Sequence, residues 1–530
     1  MLVTLALPAA AAAQELELPG SPTEPPRFFE RSARQVERIA ARAEQVRRAR
    51  ADGALDPTAY TRGAGRWQVS FFRDDREVVQ VHVDDSSGAV VEQWSGDQVA
   101  WRMARGYPGA FGRKLNAPYV WIPLCVLFLL PFLDFRRPFR LLHLDLLVLL
   151  AFGASHVFFN RGEIGLSVPL VYPVLLYLLV RMLLAGLRPR ERPGRLVPHA
   201  PLALLTIGLV FLVAFRIALN VTDSNVIDVG YAGVIGADRI VDGDELYGEG
   251  FSEDVERGDT YGPVTYLLYV PFEQAMRWSG AWDDLPAAHG AAIAFDLLAI
   301  GGLLLLGRAL RHGREGRALG VALAYAWAAY PYTAFALETN SNDTLVALAC
   351  LGALLAFAAR SAVGAGVAIG LGAAAKFAPL ALAPLFARRS PVVVGAVLAL
   401  TLALAVLPFV PDGGLRELYD RTVGYQAARG SPFSVWGQVD SLRWLQTAVK
   451  AAAVGLALLV AFVPRDPDER RAAALGAAVL IALQLAVTHW FYLYVVWFTP
   501  FVLVACFAAY REGPPVPRAE SARRRVAVAA

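Results

Sequence analysis

Residues 221–285 hold fourteen carboxylates, three arginines and no lysine, and they lie between two strongly apolar runs. The densest part, DVGYAGVIGADRIVDGDELYG at 228–248, mixes acids with tyrosines and turn-forming glycines. A carboxylate in a partly dry pocket holds its proton more tightly than one in water, and it can serve as a general base toward a poor nucleophile such as a hydroxyl. Asp223 and Asp228 stand nearest the preceding apolar run, and Asp259 comes later in GDTYGP. Cations suited to holding an anion occur in four other places. Lys376 interrupts the apolar run GLGAAAKFAPLALAPL at 370–385. An ammonium at the centre of a membrane helix costs about 2.5–3.5 kcal/mol on insertion scales, so Lys376 must face a polar cavity or snorkel to the interface. His489 lies in THWFYLYVVWFTPF, where its aromatic neighbours equally suit an interfacial belt. Arg429 sits in GYQAARGSPFSVWG, either as an anion ligand or as a solvated loop residue, and Arg216 lies one turn from the end of its apolar run.

These residues need a scaffold, and composition names its class. The 530 residues are 56% hydrophobic with a mean hydropathy of +0.44, and the 18% that are charged cluster between long apolar stretches. The pattern is that of a polytopic α-helical membrane protein, because only helices and closed barrels satisfy every backbone group in lipid. The net charge of +4 is accounted for by arginines that set topology, and nucleic acid is not an expected partner. Cys125, Cys350 and Cys506 all fall inside apolar runs without metal-ligand or disulfide spacing, and they read as small core residues.

Residues 1–13 look like a secretory signal without its basic start, with an Ala-x-Ala site before Gln14. A small extracytoplasmic α+β domain is expected over 14–116. It comprises an amphipathic helix over 28–50 and two alternating strands, RWQVSFFR and the run from 77, that turn at Ser86–Gly88. The run VHVDDSSGAVVEQW resembles a PepSY-type domain, which implies regulation or acceptor docking; a structural cap is the alternative.

Span length and arginine asymmetry give about thirteen transmembrane helices. Additional spans fill 117–199, a core fills 200–510, and a basic tail at 511–530 carries Arg523, Arg524 and Arg525. The apolar stretch 261–276 is expected to lie in the interface as a surface helix. If it spanned, Arg308, Arg311, Arg314 and Arg317 would fall outside. With it on the surface, the loops 221–285, 338–343 and 410–443 and the turns at Lys376 and His489 share one outer face.

The ordered set Asp228, Tyr231, Gly243, Tyr247 and TYGP at 260–263, succeeded by NSND at 340–343 and the Lys376 and His489 segments, resembles the GT-C glycosyltransferases over roughly 200–510. The closest group is glycosyltransferase 87, which depends on polyprenol-phosphate-mannose. The resemblance implies an extracytoplasmic site in a bacterial cell membrane. There a sugar (mannose, with arabinofuranose the competitor) passes from a polyprenyl-phosphate donor to a glycolipid or glycan acceptor with inversion. Asp228 occupies the family's acidic position and is the expected base, with Asp223 its rival or a loop cap. Asp259 is expected to orient the acceptor, or else to be a turn carboxylate. Lys376, His489, Arg429, Arg216, Tyr231 and Tyr261 are expected around the donor phosphate or sugar.

No cofactor or metal is expected. The Asp-Gly-Asp at 242–244 matches the metal-binding pattern of nucleotide-sugar enzymes, but no parallel β-α-β pattern surrounds it, so it reads as a glycine turn. Gly366 and Gly370 make a helix-packing face. A transporter or flippase for a lipid-linked saccharide is the alternative function. It lacks support from an inverted repeat or from paired broken helices. A receptor would lean on the exported domain, yet no cytoplasmic signalling domain is apparent after it.

Overall fold

The computed structural model describes residues 16–511, apart from 64, 108, 249–250 and 253–254, so the signal-like segment and the basic tail lie outside the described residues. Residues 16–95 build an antiparallel meander in the order β1 (Leu16–Glu17), β2 (Asp56–Arg62), β3 (Arg66–Arg73), β4 (Arg76–Asp84) and β5 (Val90–Ser95). The two alternating strands expected there are three, β3, β4 and β5, with the Ser86–Gly88 turn joining β4 to β5. Sequence alternation misses β2, whose Asp-Pro start reads as a turn. Asp74 and Asp75 both take positive φ, 48° and 63°, as a two-residue hairpin turn requires. Trp67, Val69 and Phe71 pack with Val79, Val81 and Val83 on one face. That face is covered by helices Ala33–Ala40 and Glu44–Arg50. The single helix expected over 28–50 is therefore two, the first opened by a Ser32–Gln35 capping box.

In the rest of the chain, six helices among the described residues are long and apolar enough to cross a bilayer: Leu141–Phe159, Ile164–Leu187, Leu202–Asp223, Pro286–Leu310, Pro391–Phe409 and Asp440–Leu459. Five shorter apolar helical segments accompany them, including Ala362–Ala375 and Ala378–Ala387 on either side of Lys376. The apolar stretch 318–337, long enough in the sequence for one span, breaks at Tyr330. Helix Gly313–Ala329 ends there and Pro331–Glu338 begins, since proline starts a helix readily but cannot continue one. Residues 261–276 do not span. They form two short helices, Pro263–Leu267 and Val270–Ala275, and the first is buried rather than lying on a surface.

The arginine-rich helix ends gather at one end of the bundle, and there they bond to the last carbonyls of neighbouring helices. Arg311 donates to Ala508 O at 3.0 Å, Arg388 to Val460 O at 3.1 Å, Arg470 to Ala505 O at 3.1 Å and Arg471 to Gly186 O at 2.9 Å. These carbonyls have no partner within their own helices, and a guanidinium also suits the negative end of the helix dipole.

Candidate active site

Asp228 is the first residue of helix Asp228–Asp242, and its position is set by contacts to the NSND turn. Ile227 N–H donates to Thr339 O at 2.9 Å. One turn on, Gly230 presses against the same turn: a Cβ there would lie 2.3 Å from Asn340 O, so only glycine permits the approach. Asn340, in a left-handed conformation with φ 51°, donates to Ser224 Oγ and Asn225 O. Asn220 donates to Asn340 Oδ1 at 2.9 Å. The DGD stretch is a turn, with Gly243 closing this helix at φ 80°.

The end of the NSND turn carries a residue that sequence reasoning does not single out. Asp343 is 2% exposed, and its Oδ1 accepts from Lys376 Nζ at 2.6 Å and from Trp497 Nε1 at 2.8 Å, while Ser341 Oγ donates to Oδ2. NSND stands out in the sequence only as a segment; the signal available for Asp343 itself is that a buried lysine demands a counter-ion. Lys376 comes directly after helix Ala362–Ala375. Gly262 N–H and Thr265 Oγ both donate to Ala375 O, at 3.1 and 2.9 Å. A Cβ on Gly262 would fall 2.0 Å from Ala374 O. That contact brings the Tyr261 ring within 5.1 Å of Lys376 Nζ, inside cation–π range. Tyr494 stacks on Trp497 at 4.3 Å, and His489 meets Tyr494 edge-on at 6.2 Å.

Arg429 and His489 complete the cluster. His489 Nδ1 lies 2.9 Å from Ser431 Oγ. Burial, with Arg429 and Lys376 nearby, lowers its pKa to about 3, so the imidazole is neutral and acts through hydrogen bonds. Arg429 is half-buried and forms no ion pair among the described residues. Asp228 keeps part of its surface open to solvent although it lies deep in the protein. Burial raises its pKa above the ordinary carboxylate value; Val229 N–H, Arg429 and Lys376 pull the other way, and Asp343 adds to the rise. The structure thus assembles Asp228, Tyr261, Lys376, Arg429 and His489 of the expected residues, and adds Asp343, Tyr494 and Trp497.

Four expected residues are placed elsewhere. Asp223 pairs with Lys114. Asp259 is 1% exposed and pairs with Arg421 at 2.9 Å, tying the 410–443 loop to the acidic loop. Arg216 is 1% exposed and points into the bundle, held by Asp296 at 2.7 Å and by the Trp327, Ala328 and Thr333 carbonyls. It is not available to a phosphate, because it lies on the buried face of its helix, with Leu212, Leu219 and Asn220. Tyr231 packs between Trp278 and Trp282 as core. Among the described residues no group of three or more His, Cys, Asp or Glu side chains forms a metal-ligand cluster.

Residues 260–489 match glycosyltransferase family 87. The family 87 segment contains Tyr261, Asp343, Lys376, Arg429 and His489, whereas Asp228 and the N-terminal domain precede it. Among solved structures the chain is similar to ArnT from Cupriavidus metallidurans bound to undecaprenyl phosphate, at 15% identity and a TM-score of 0.40. The similarity covers 58% of this chain and 59% of that one, so the chain spans about three fifths of that protein's length. No curated protein matches.

Proposed function

We propose that this protein is a membrane glycosyltransferase that moves a sugar from a polyprenyl-phosphate donor to a glycolipid or glycan acceptor. The observation that carries the reading is a solvent-reachable carboxylate with raised proton affinity, Asp228, beside two buried or half-buried cations. One of those cations, Arg429, has no ion pair among the described residues. The family 87 match supplies the reaction class. In this reading the acceptor hydroxyl oxygen attacks the anomeric carbon while Asp228 takes its proton. The bond from that carbon to the phosphate oxygen breaks with its electron pair, and polyprenyl phosphate leaves as an anion. Arg429 and Lys376 hold the charge that develops on it. Neutral His489 offers a hydrogen bond, and Tyr261 offers a ring face to the sugar. A single base with backside attack inverts the anomeric configuration. Mannose is the sugar the resemblance favours, and the site faces the extracytoplasmic side.

Asp228→Asn tests the proposal in purified, lipid-reconstituted protein. Asparagine keeps the size and one acceptor oxygen but cannot take the proton, so transfer should fall at least about a hundredfold while donor and acceptor still bind. Asp223→Asn, which only releases Lys114, should stay near wild type. Near-normal transfer by Asp228→Asn removes the base from this position.

A further inference from the structure

The segment joining the N-terminal domain to the first apolar helix lies outside the family 87 match, yet it touches both halves of the candidate site. We propose that this linker, residues 97–107 and 109–117, is a positioning element for transfer: Phe111 and Gly112 hold the Asp228 loop, and Trp101 holds the Arg429 loop and, through Phe433 of that loop, the turn bearing His489.

On the first side, Phe111 stacks on Trp282 with ring planes 8° apart and centroids 6.4 Å apart. Trp282 donates to Val226 O at 3.2 Å and lies against Tyr231 at 4.9 Å. Gly112 N–H donates to Asn225 Oδ1 at 2.8 Å, three residues before Asp228. On the second side, Trp101 meets Phe433 edge-on at 5.0 Å, and Phe433 lies 5.6 Å from the His489 ring that Ser431 also holds.

The described residues of the linker are themselves closely held. Gln98 Nε2 donates to both Ala104 O and Asn160 O, at 3.1 and 3.0 Å. Arg105 bonds back to Gln98 O and reaches Gln80 in the sheet. A Cβ on Gly109 would lie 2.1 Å from the Trp94 ring, and one on Gly106 would lie 2.9 Å from Asn160 O. Domain, linker and both site loops are therefore packed as one piece. Small displacements at this distance matter, because misplacing reacting groups by about 1 Å costs up to about a hundredfold in rate.

The inference rests on the transfer reading of the cluster, and the test separates the two. Phe111→Ala and Trp101→Ala are assayed in full-length, reconstituted protein, with turnover expressed per monodisperse molecule. Phe111→Ala should lower kcat about tenfold or more with the donor KM little changed, because it loosens the base. Trp101→Ala should raise the donor KM instead, because it loosens the cation loop. Phe111→Tyr and Trp101→Phe should restore most of each loss. Should Phe111→Ala not fold, Asn225→Ala removes the Gly112 bond alone and should give the same kcat signature. A merely structural linker would give both variants the same loss with no KM split, and that result, or unchanged kinetics, overturns the proposal. Absence of transfer by the wild-type protein would instead remove the proposed activity.

Discussion

The buried Lys376–Asp343 pair allows a prediction in which stability and ligand binding report on each other. The two side chains are 7% and 2% exposed, and at 2.6 Å their charges attract by about 6 kcal/mol at an effective dielectric constant of about 20. Desolvation cancels most of that attraction, so the pair as a whole contributes little. Removing one partner is different, because it strands the other charge, at a cost of about 3–5 kcal/mol. Asp343→Asn keeps the shape and the Trp497 bond but leaves the ammonium unpaired; Lys376→Met strands the carboxylate. Each should lower Tm clearly, and the double variant should be more stable than either single one. Polyprenyl phosphate, added to the detergent-solubilised proteins, supplies the discriminating result. If Lys376 holds the donor phosphate, the ligand gives Asp343→Asn a larger Tm increase than wild type, because it replaces the lost counter-ion. It should give Lys376→Met little increase. Equal ligand shifts in all variants, or single effects that simply add, would refute the reasoning and leave Lys376 a structural residue.

Transfer should lose rate as pH falls. Asp228 must be unprotonated to act, and burial raises its pKa, so the acid limb of kcat should lie above the ordinary carboxylate range. Arg429→Met removes a cation that lowers that pKa, so at saturating donor the limb should move further up in pH. Activity should survive EDTA, since Arg429 and Lys376 supply the charge stabilisation in the proposed reaction; loss of activity restored by a divalent ion would contradict this. In a Cys125→Ser background, a cysteine at Arg416 should react with an impermeant reagent added outside intact cells, and one at Arg314 should not. Labelling at 314 from outside would reverse the proposed orientation.

The features legible in the sequence are those set by residue period and local turn chemistry. Alternation marks the strand-forming stretch from 66 to 95, though as two strands where there are three, and the Gly243 turn is recognisable because an aspartate on each side of glycine suits a left-handed helix stop. Parity correctly keeps 261–276 from spanning. Periodicity cannot show that the stretch folds inward as two short helices, because Gly262 reaching Ala374 O is a tertiary contact. The cluster is legible one member at a time, through Asp228, Tyr261, Lys376, Arg429 and His489. The choice of partners is not. Arg216 lies in the last two turns of the helix that leads into the acidic loop, yet its rotation about the helix axis turns it toward Asp296. Asp343 reads as one more loop acid until Lys376 is placed beside it.

The arginines that bond to neighbouring helix ends have a consequence for biogenesis. During membrane insertion such residues act as anchors that hold one end of each hairpin on its side of the bilayer. In the finished fold Arg311, Arg388, Arg470 and Arg471 terminate other helices, through Ala508, Val460, Ala505 and Gly186. A hairpin threaded in reverse would carry its own arginine away and also leave a distant helix with bare carbonyls. An error of threading would therefore also be an error of packing, felt at the ends of other helices.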